Sequence, residues 1–252
     1  MMTNNKSQIT IFVIIALIIM VAVVAIFLLI KRPGLVISEV EDPKSFIKSC
    51  VSDALEVEEE NIFKTNGYLS NIENHIVYLG EKVPYLCKAS EFYVACVPQE
   101  PALIEKIRRQ AEINVKQDVE DCFSVLVNSL KKKGEVDEGP MTISLKIEKG
   151  KISLKTDKRI DFTREDKKSS YNSFLTEISS PLYNLLSTSS AVVNFESTYC
   201  EFNRVGWMGA YRDISIKFFR ASDQTKIYTL IDRQTEKEIK FAIKTCVLPG
   251  GI

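Results

Sequence analysis

The sequence predicts an α+β protein: an N-terminal transmembrane helix, then two helices, an antiparallel sheet of hairpins and one further helix. Three observations predict it. A long apolar run occupies the N-terminus, helical spacing of apolar residues dominates the next hundred residues, and two-residue alternation dominates much of the remainder. Helices that lead into clusters of hairpins are typical of the α+β class.

The apolar run extends from Ile9 to Ile30, and Thr10 is its only polar side chain. At about 1.5 Å per residue it makes a helix of about 33 Å, enough to cross a hydrocarbon core of about 30 Å. A secretory signal peptide has a shorter apolar core and a small-residue cleavage site, which residues 31–34 lack. We therefore expect a retained membrane anchor. The predicted divisions are a tail (1–8), a transmembrane helix (9–30), a juxtamembrane linker (31–41) and an extracytoplasmic domain (42–252).

The N-terminus consists of a short polar tail with one lysine, then a glutamine, then the apolar helix, from Lys6 to Phe12. This arrangement resembles archaeal type IV pilin-like precursors and uncharacterised single-pass membrane proteins of small-genome archaea. The resemblance implies cleavage between Ser7 and Gln8 and filament assembly through residues 8–30. Pilins of that family usually carry glutamate at the fifth mature position, where this chain has Phe12. Filament assembly is therefore the alternative function rather than the leading one.

The first helix of the domain is predicted to begin at Asp42-Pro43, an N-cap residue followed by proline at the first helical position. Its apolar stripe has helical spacing and comprises Ile47, Cys50, Val51, Ala54 and Leu55. The acidic run from Glu56 to Asn61 is expected to be a solvated helix end rather than a cation site, because EF-hand spacing is absent. Residues 68–97 are expected to be irregular.

The second helix is predicted to follow Pro101. Its apolar residues recur every third or fourth position: Leu103, Ile107, Ala111, Val115, Val119, Cys122, Phe123, Leu126 and Leu130. It should end at lysines 131–133 and Gly134, where cations face the negative end of the helix dipole. Because such a helix would be about 45 Å long, we expect a kink or break between Gln110 and Gln117.

After a turn-rich segment, 134–140, the spacing changes to alternation. Residues 143–147 alternate apolar with polar, Lys149-Gly150 forms a turn, and 152–154 alternate back, which predicts a hairpin with one solvated face. The remaining expected elements are a short strand at 160–162, a helix from Tyr171 to Leu186 interrupted at 179–181, and strands at 192–195, 214–219, 226–231 and 238–244. The domain thus divides into a helical part (42–133) and a β-rich part (140–252).

All six cysteines follow the apolar run, and an even number indicates disulfides in an oxidising compartment. Buried free thiols are the alternative, whereas zinc is excluded because no C-x₂₋₄-C pair occurs. The predicted pairs are Cys50–Cys122, Cys87–Cys96 and Cys200–Cys246. The first pair lies on two helical stripes, the second closes a short loop, and the third remains in the β-rich part. Lys31 and Arg32 favour a cytoplasmic domain by the positive-inside rule, so the two orientation signals disagree.

The composition excludes several functions. Lys+Arg and Asp+Glu both number 33, so no excess of positive charge is present to bind nucleic acid. His75 is the only histidine, and no family nucleophile motif, dinucleotide fingerprint or P-loop occurs. We therefore expect a surface or capping role for His75 and a non-enzymatic protein without cofactor or metal. An envelope hydrolase that uses a carboxylate pair is the second alternative.

Trp207, the only tryptophan, lies between Gly206 and Gly209 and is a candidate surface anchor, although such a residue more often closes the end of a core. The leading function is a membrane-anchored extracytoplasmic domain with a structural or binding role at the cell envelope. The expected partners are the lipid bilayer, through Ile9 to Ile30, and a protein or a second copy of the chain.

Overall fold

The structure is a computed structural model that describes residues 19–20, 42–68, 74–165 and 167–248. The described residues from 42 to 248 belong to one compact unit. The predicted transmembrane helix lies outside the described residues except for Ile19 and Met20, and the predicted tail and linker lie outside them entirely. Within the described ranges, no helix has both the length and the apolar character that crossing a membrane requires.

The α+β prediction is confirmed. The described helices are α1 (Pro43–Lys64), α2 (Leu103–Lys131), α3 (Leu182–Tyr199) and α4 (Arg204–Ala210). The strands are β1 (His75–Tyr78), β2 (Glu81–Lys88), β3 (Val97–Pro98), β4 (Glu135–Glu148), β5 (Lys151–Arg164), β6 (Lys167–Ser179), β7 (Ile214–Arg220), β8 (Lys226–Asp232) and β9 (Glu238–Lys244).

The first layer pair consists of α1 and α2 on a three-stranded antiparallel sheet, β4-β5-β6. The Asp42 carboxylate accepts hydrogen bonds from the Lys44 and Ser45 amides, so the predicted N-cap is present. Alternation places Leu145, Leu154 and Phe174 on the buried face of the sheet. The Phe174 ring meets Phe123 of α2 edge-on at 5.0 Å between centroids. Apolar burial on one face of each layer thus holds the helices on the sheet.

The second layer pair consists of α3 on a six-stranded sheet with the order β1-β2-β9-β8-β7, in which β3 also pairs with β2. The turn at 232–237 joins β8 to β9 as an antiparallel pair. Strand β2 runs parallel to β9, so this sheet is mixed and the expectation of a purely antiparallel one is wrong here. No local pattern reports this pairing, because 150 residues separate the two strands in the chain.

Two predicted elements have the opposite type in the structure. The first half of the predicted helix from Tyr171 to Leu186 is strand β6, and the helix α3 begins only at Leu182. The predicted strand at 192–195 lies inside α3. The apolar residues in 171–178 fit both the helical and the strand periodicity. The segment forms a strand because β6 pairs with β5 at 12 positions.

Other boundaries also differ. Residues 134–140 do not form a turn-rich linker, because β4 begins at Glu135 and a bulge between Glu138 and Met141 accommodates Gly139-Pro140. The expected irregular stretch 68–97 contains β1, β2 and the first residue of β3. Helix α2 is continuous, without the expected break. The predicted helical part therefore contains strands, and the predicted β-rich part contains α3 and α4.

Candidate functional site

The six cysteines form the three pairs that the sequence predicts. Their Cα atoms lie 6.0 Å apart in Cys50–Cys122, 5.3 Å apart in Cys87–Cys96 and 5.8 Å apart in Cys200–Cys246. The first disulfide joins α1 to α2. The other two lie near each other, since Cys87 is the penultimate residue of β2, which pairs with β9, and Cys246 lies two residues after the end of β9.

Residues 89–95 form a loop that the Cys87–Cys96 disulfide closes. Backbone hydrogen bonds fix this loop to the end of β9 and to the chain that follows it. The Ala89 amide donates to the Lys244 carbonyl, the Tyr93 amide to the Val247 carbonyl, and the Cys246 amide to the Val94 carbonyl. The loop is therefore held by one covalent link and by three backbone contacts with a single neighbouring segment.

This fixed loop exposes apolar side chains. Phe92 is 54% exposed, Tyr93 59% and Val94 40%. Tyr93 has φ 61°, in the left-handed region that side chains other than glycine rarely adopt. The disulfide and the backbone hydrogen bonds fix the loop in this conformation. Its exposed side chains therefore remain outside the core. Val97 and Leu248, also exposed, lie on the adjoining chain. We call Phe92, Tyr93, Val94, Val97 and Leu248 the loop surface.

A second group of exposed aromatic residues adjoins the first. Phe195 and Tyr199 project from the end of α3, and Tyr211 follows α4. The two groups meet at Cys246, which bonds covalently to Cys200 and donates to Val94. Of the six exposed Phe and Tyr side chains in the described ranges, five belong to these two groups. An exposed apolar concentration of this kind marks interaction sites in folded proteins.

Trp207 lies in α4 as part of the same aromatic row. Its ring stacks on Tyr211 at 4.4 Å between centroids and contacts Phe202 at 5.6 Å. The side chain is half-buried, and its indole N–H is buried without a hydrogen-bond acceptor among the described residues. Trp207 thus lies at the margin of the exposed aromatic residues and joins them to the core.

A buried ion pair supports this end of the molecule. Glu196 of α3 is fully buried, and its carboxylate accepts hydrogen bonds from Lys226 Nζ, at 2.6 Å, and from the Tyr228 hydroxyl. Lys226 Nζ also donates to the Cys200 carbonyl. Burial raises the pKa of the Tyr228 hydroxyl, and the bond to the Glu196 carboxylate raises it further. The network fixes the end of α3, and with it Cys200, against β8.

A cleft of about 650 Å³ lies beside the loop surface. Phe92 and Glu91 line one side of it, and Lys88 and Lys244 line it as well. Lys88 Nζ donates to the Asn74 side chain, and Lys244 Nζ lies 3.1 Å from an Asp223 carboxylate oxygen. Two lysines and the exposed Phe92 therefore line the same cleft.

The acidic run at the end of α1 is only in part the solvated helix end that the sequence predicts, because four of its six residues are exposed and two are buried. Glu58 and Glu59 are buried, because α2 packs on one side of α1 and the β8–β9 turn packs on the other. Asn114 donates to Glu58, and Lys237 donates to one oxygen of Glu59. The other Glu59 oxygen is buried and has no partner within the described ranges.

Desolvation raises the pKa of Glu58, although hydrogen bonds from Asn114 and Asn61 partly offset this effect. A cleft of about 630 Å³ beside this run is lined by the carboxylates of Asp53, Glu56, Glu59 and Glu60. In the part of the chain that the structure describes, no cluster of three or more His, Cys, Asp or Glu side chains is arranged to hold a metal ion.

His75 is the first residue of β1, where it faces Pro84 of β2. It is half-buried and lies in a strand, within the stretch 68–97 that the sequence predicts to be irregular.

Sequence reasoning did not identify the loop surface or the Glu196 network as sites. A signal for the loop was present: Phe92, Tyr93 and Val94 are consecutive and lie between two cysteines nine positions apart. A closed loop of that length cannot bury three large side chains in succession within itself. The Glu196–Lys226 pair had no such signal, because 30 residues separate a helix from a strand.

Comparison with known proteins found no matching family model, and no significant similarity to a curated protein or to a solved structure.

Proposed function

We propose that this chain is a membrane-anchored, extracytoplasmic binding protein of the cell envelope, without enzymatic activity, and that the loop surface is its docking face. One observation carries the proposal: the exposed Phe92, Tyr93 and Val94 belong to a loop that a disulfide and three backbone hydrogen bonds hold in place. A preorganised loop loses little conformational entropy on binding, so more of its apolar contact contributes to affinity.

Two features support the location. Three disulfides are typical of an oxidising space outside the cytoplasm. The apolar run from Ile9 to Ile30 has the composition and length of a membrane anchor. Together they favour an anchored domain on the outer side, against the two positive charges at Lys31 and Arg32.

Two alternatives remain as further proposals. A pilin-like filament subunit would assemble through residues 8–30, and recovery of a mature N-terminus at Gln8 would favour it. An envelope hydrolase that uses a carboxylate pair would place its chemistry in the cleft lined by Asp53, Glu56, Glu59 and Glu60. Hydrolysis of an envelope polymer that is lost in Glu59→Gln without loss of stability would favour the hydrolase.

Site-specific photocrosslinking tests the docking face in the full chain. A benzophenone amino acid replaces Phe92 in one variant and Leu175 in a matched control, because Leu175 is 60% exposed on the polar face of the three-stranded sheet. Irradiation of intact producing cells should give adducts of defined mass at position 92, several-fold more than at position 175. Equal yields at the two positions would contradict a docking role for the loop surface.

A further inference from the structure

We propose that the occupant of the loop surface is the lipid bilayer that holds the anchor. Phe92 and Tyr93 enter the interfacial region of the membrane, and lipid headgroup phosphates bind at Lys88 and Lys244. This inference rests on the proposed function, because it names the partner of the same docking face. Four arguments support it.

The first argument is reach. Eleven residues, 31–41, separate the end of the apolar run from Asp42, and a fully extended chain of that length spans at most about 36–40 Å. A membrane that holds the apolar run is therefore a surface close to Asp42, the first residue of the domain that the structure describes.

The second argument is side-chain chemistry. Phe92 and Val94 are apolar, and Tyr93 combines an apolar ring with a hydroxyl. Aromatic residues of this kind are enriched at membrane–water boundaries because one part of the ring is apolar and another is solvated. Lysines behind such a patch extend their ammonium groups toward headgroups.

The third argument is charge at the cleft. Lys88 and Lys244 both line the cleft beside Phe92, and Glu91 is the acidic residue that lines it with them. Asp223 contacts Lys244 from the neighbouring turn. Lys88 Nζ donates a hydrogen bond to the neutral side chain of Asn74, whereas Lys244 is paired with a carboxylate. An inserted Phe92 would bring headgroup phosphates to the level of these lysines.

The fourth argument is area. The five side chains of the loop surface are 40–64% exposed, which corresponds to about 400–650 Å² if a large side chain offers about 150–250 Å². A contact of this size suffices for a membrane, because the anchor keeps the second contact intramolecular and raises its effective concentration.

The test uses the full chain with one tryptophan as a reporter of lipid contact. Trp207→Phe removes the native tryptophan, and Phe92→Trp introduces a reporter at the loop surface. The matched control carries Leu175→Trp in the same Trp207→Phe background. Both variants are reconstituted into vesicles of 3:1 phosphatidylcholine and phosphatidylglycerol, with or without bromine on the acyl chains of the phosphatidylcholine. Bromine in both leaflets makes the result independent of the orientation of the inserted protein.

We expect brominated lipid to quench the fluorescence of the Phe92→Trp reporter at least about twofold and to leave that of the Leu175→Trp control nearly unchanged. Replacement of phosphatidylglycerol by phosphatidylcholine should weaken quenching at position 92, because Lys88 and Lys244 then lose their anionic partner. Equal quenching at the two positions would overturn the lipid proposal.

The photocrosslinking experiment separates the failure of this inference from failure of the proposed function. Protein adducts at position 92 without quenching would keep the docking face and exclude lipid as its occupant. Absence of both signals would overturn both proposals.

Discussion

Glu196 and Lys226 show how a single pair of charges can lie in the core of this domain. Their side chains are 0% and 7% exposed, and both carboxylate oxygens have a donor. Charges removed from water are tolerated only when hydrogen bonds replace the lost hydration. Lys226 meets the same condition through Glu196 and the Cys200 carbonyl.

Glu196→Leu should therefore destabilise the domain by about 3–5 kcal/mol, because it leaves the Lys226 ammonium buried without its counter-charge. The double variant Glu196→Leu/Lys226→Met should recover most of that loss, since it removes both charges. Urea unfolding followed by Trp207 fluorescence measures both. If Glu196→Leu alone costs less than about 1 kcal/mol, the pair is not buried as described.

Glu58 gives a prediction with a defined pH dependence. Its pKa is raised by desolvation, so the folded state holds the proton more tightly than the unfolded state does. The folded state is therefore most stable with respect to Glu58 below the ordinary pKa of a glutamate, where the carboxyl is protonated. This stability is lost as the pH rises through the raised pKa, because a buried carboxylate must then form.

Glu58→Gln removes this loss while it keeps the hydrogen bond from Asn114. We expect the variant to be more stable than the parent chain at pH 7 and equal to it near pH 4. Thermal unfolding at both pH values measures the difference, with Glu60→Gln as an exposed control on the same helix. A variant that is equally stabilised at both values would refute this account.

At the scale of secondary-structure elements, the Cys50–Cys122 disulfide links α1 to α2 across a separation of 72 residues. In the chain-entropy model, Cys50→Ala/Cys122→Ala should cost about 4 kcal/mol, and Cys87→Ala/Cys96→Ala only about 2–3 kcal/mol, because its loop is shorter. Urea unfolding under non-reducing conditions compares the two double variants. If Cys87→Ala/Cys96→Ala loses more unfolding free energy than Cys50→Ala/Cys122→Ala, loop length does not determine the two contributions and the prediction is wrong.

The elements that the sequence predicted correctly are those with local signals. The cap at Asp42-Pro43, the apolar stripe of α2 and the turn at Lys149-Gly150 each report a structure within a few residues, and Gly150 has the positive φ that this turn requires. The pairing of the cysteines could be predicted because two pairs lie on predicted helices or around a short loop.

The elements that it missed depend on distant partners. Leu175 lies in the segment that the sequence predicts to be a helix, but in the structure it is exposed on β6. The segment is a strand because it pairs with β5. Val192 and Val193 favour a strand by propensity, yet both are buried on one face of α3. The loop surface was missed for a related reason. Whether Phe92 is exposed depends on the chain after β9, which holds the loop away from the core.

At the scale of the whole molecule, the proposed location predicts which cysteines a membrane-impermeant reagent can reach. After mild reduction of intact cells, an impermeant maleimide should label the half-buried Cys50, Cys200 and Cys246 without permeabilisation, whereas the other three cysteines are buried. A variant with Ser7→Cys as its only cysteine should be labelled only after permeabilisation, because that tail lies on the opposite side. Reversed labelling would place the domain in the cytoplasm, as Lys31 and Arg32 favour.

If the domain is extracytoplasmic, as proposed, the order of the disulfides along the chain also has a consequence for the time course of export. The Cys87–Cys96 pair is nested inside the Cys50–Cys122 pair. If the chain crosses the membrane from the N-terminus at about 5–20 residues per second, Cys50 reaches the oxidising side several seconds before Cys122. During that interval its first available partner is Cys87, which would be a wrong one. Correct maturation therefore depends on thiol–disulfide exchange after Cys122 has emerged, and cells that lack a disulfide isomerase should accumulate a Cys50–Cys87 species.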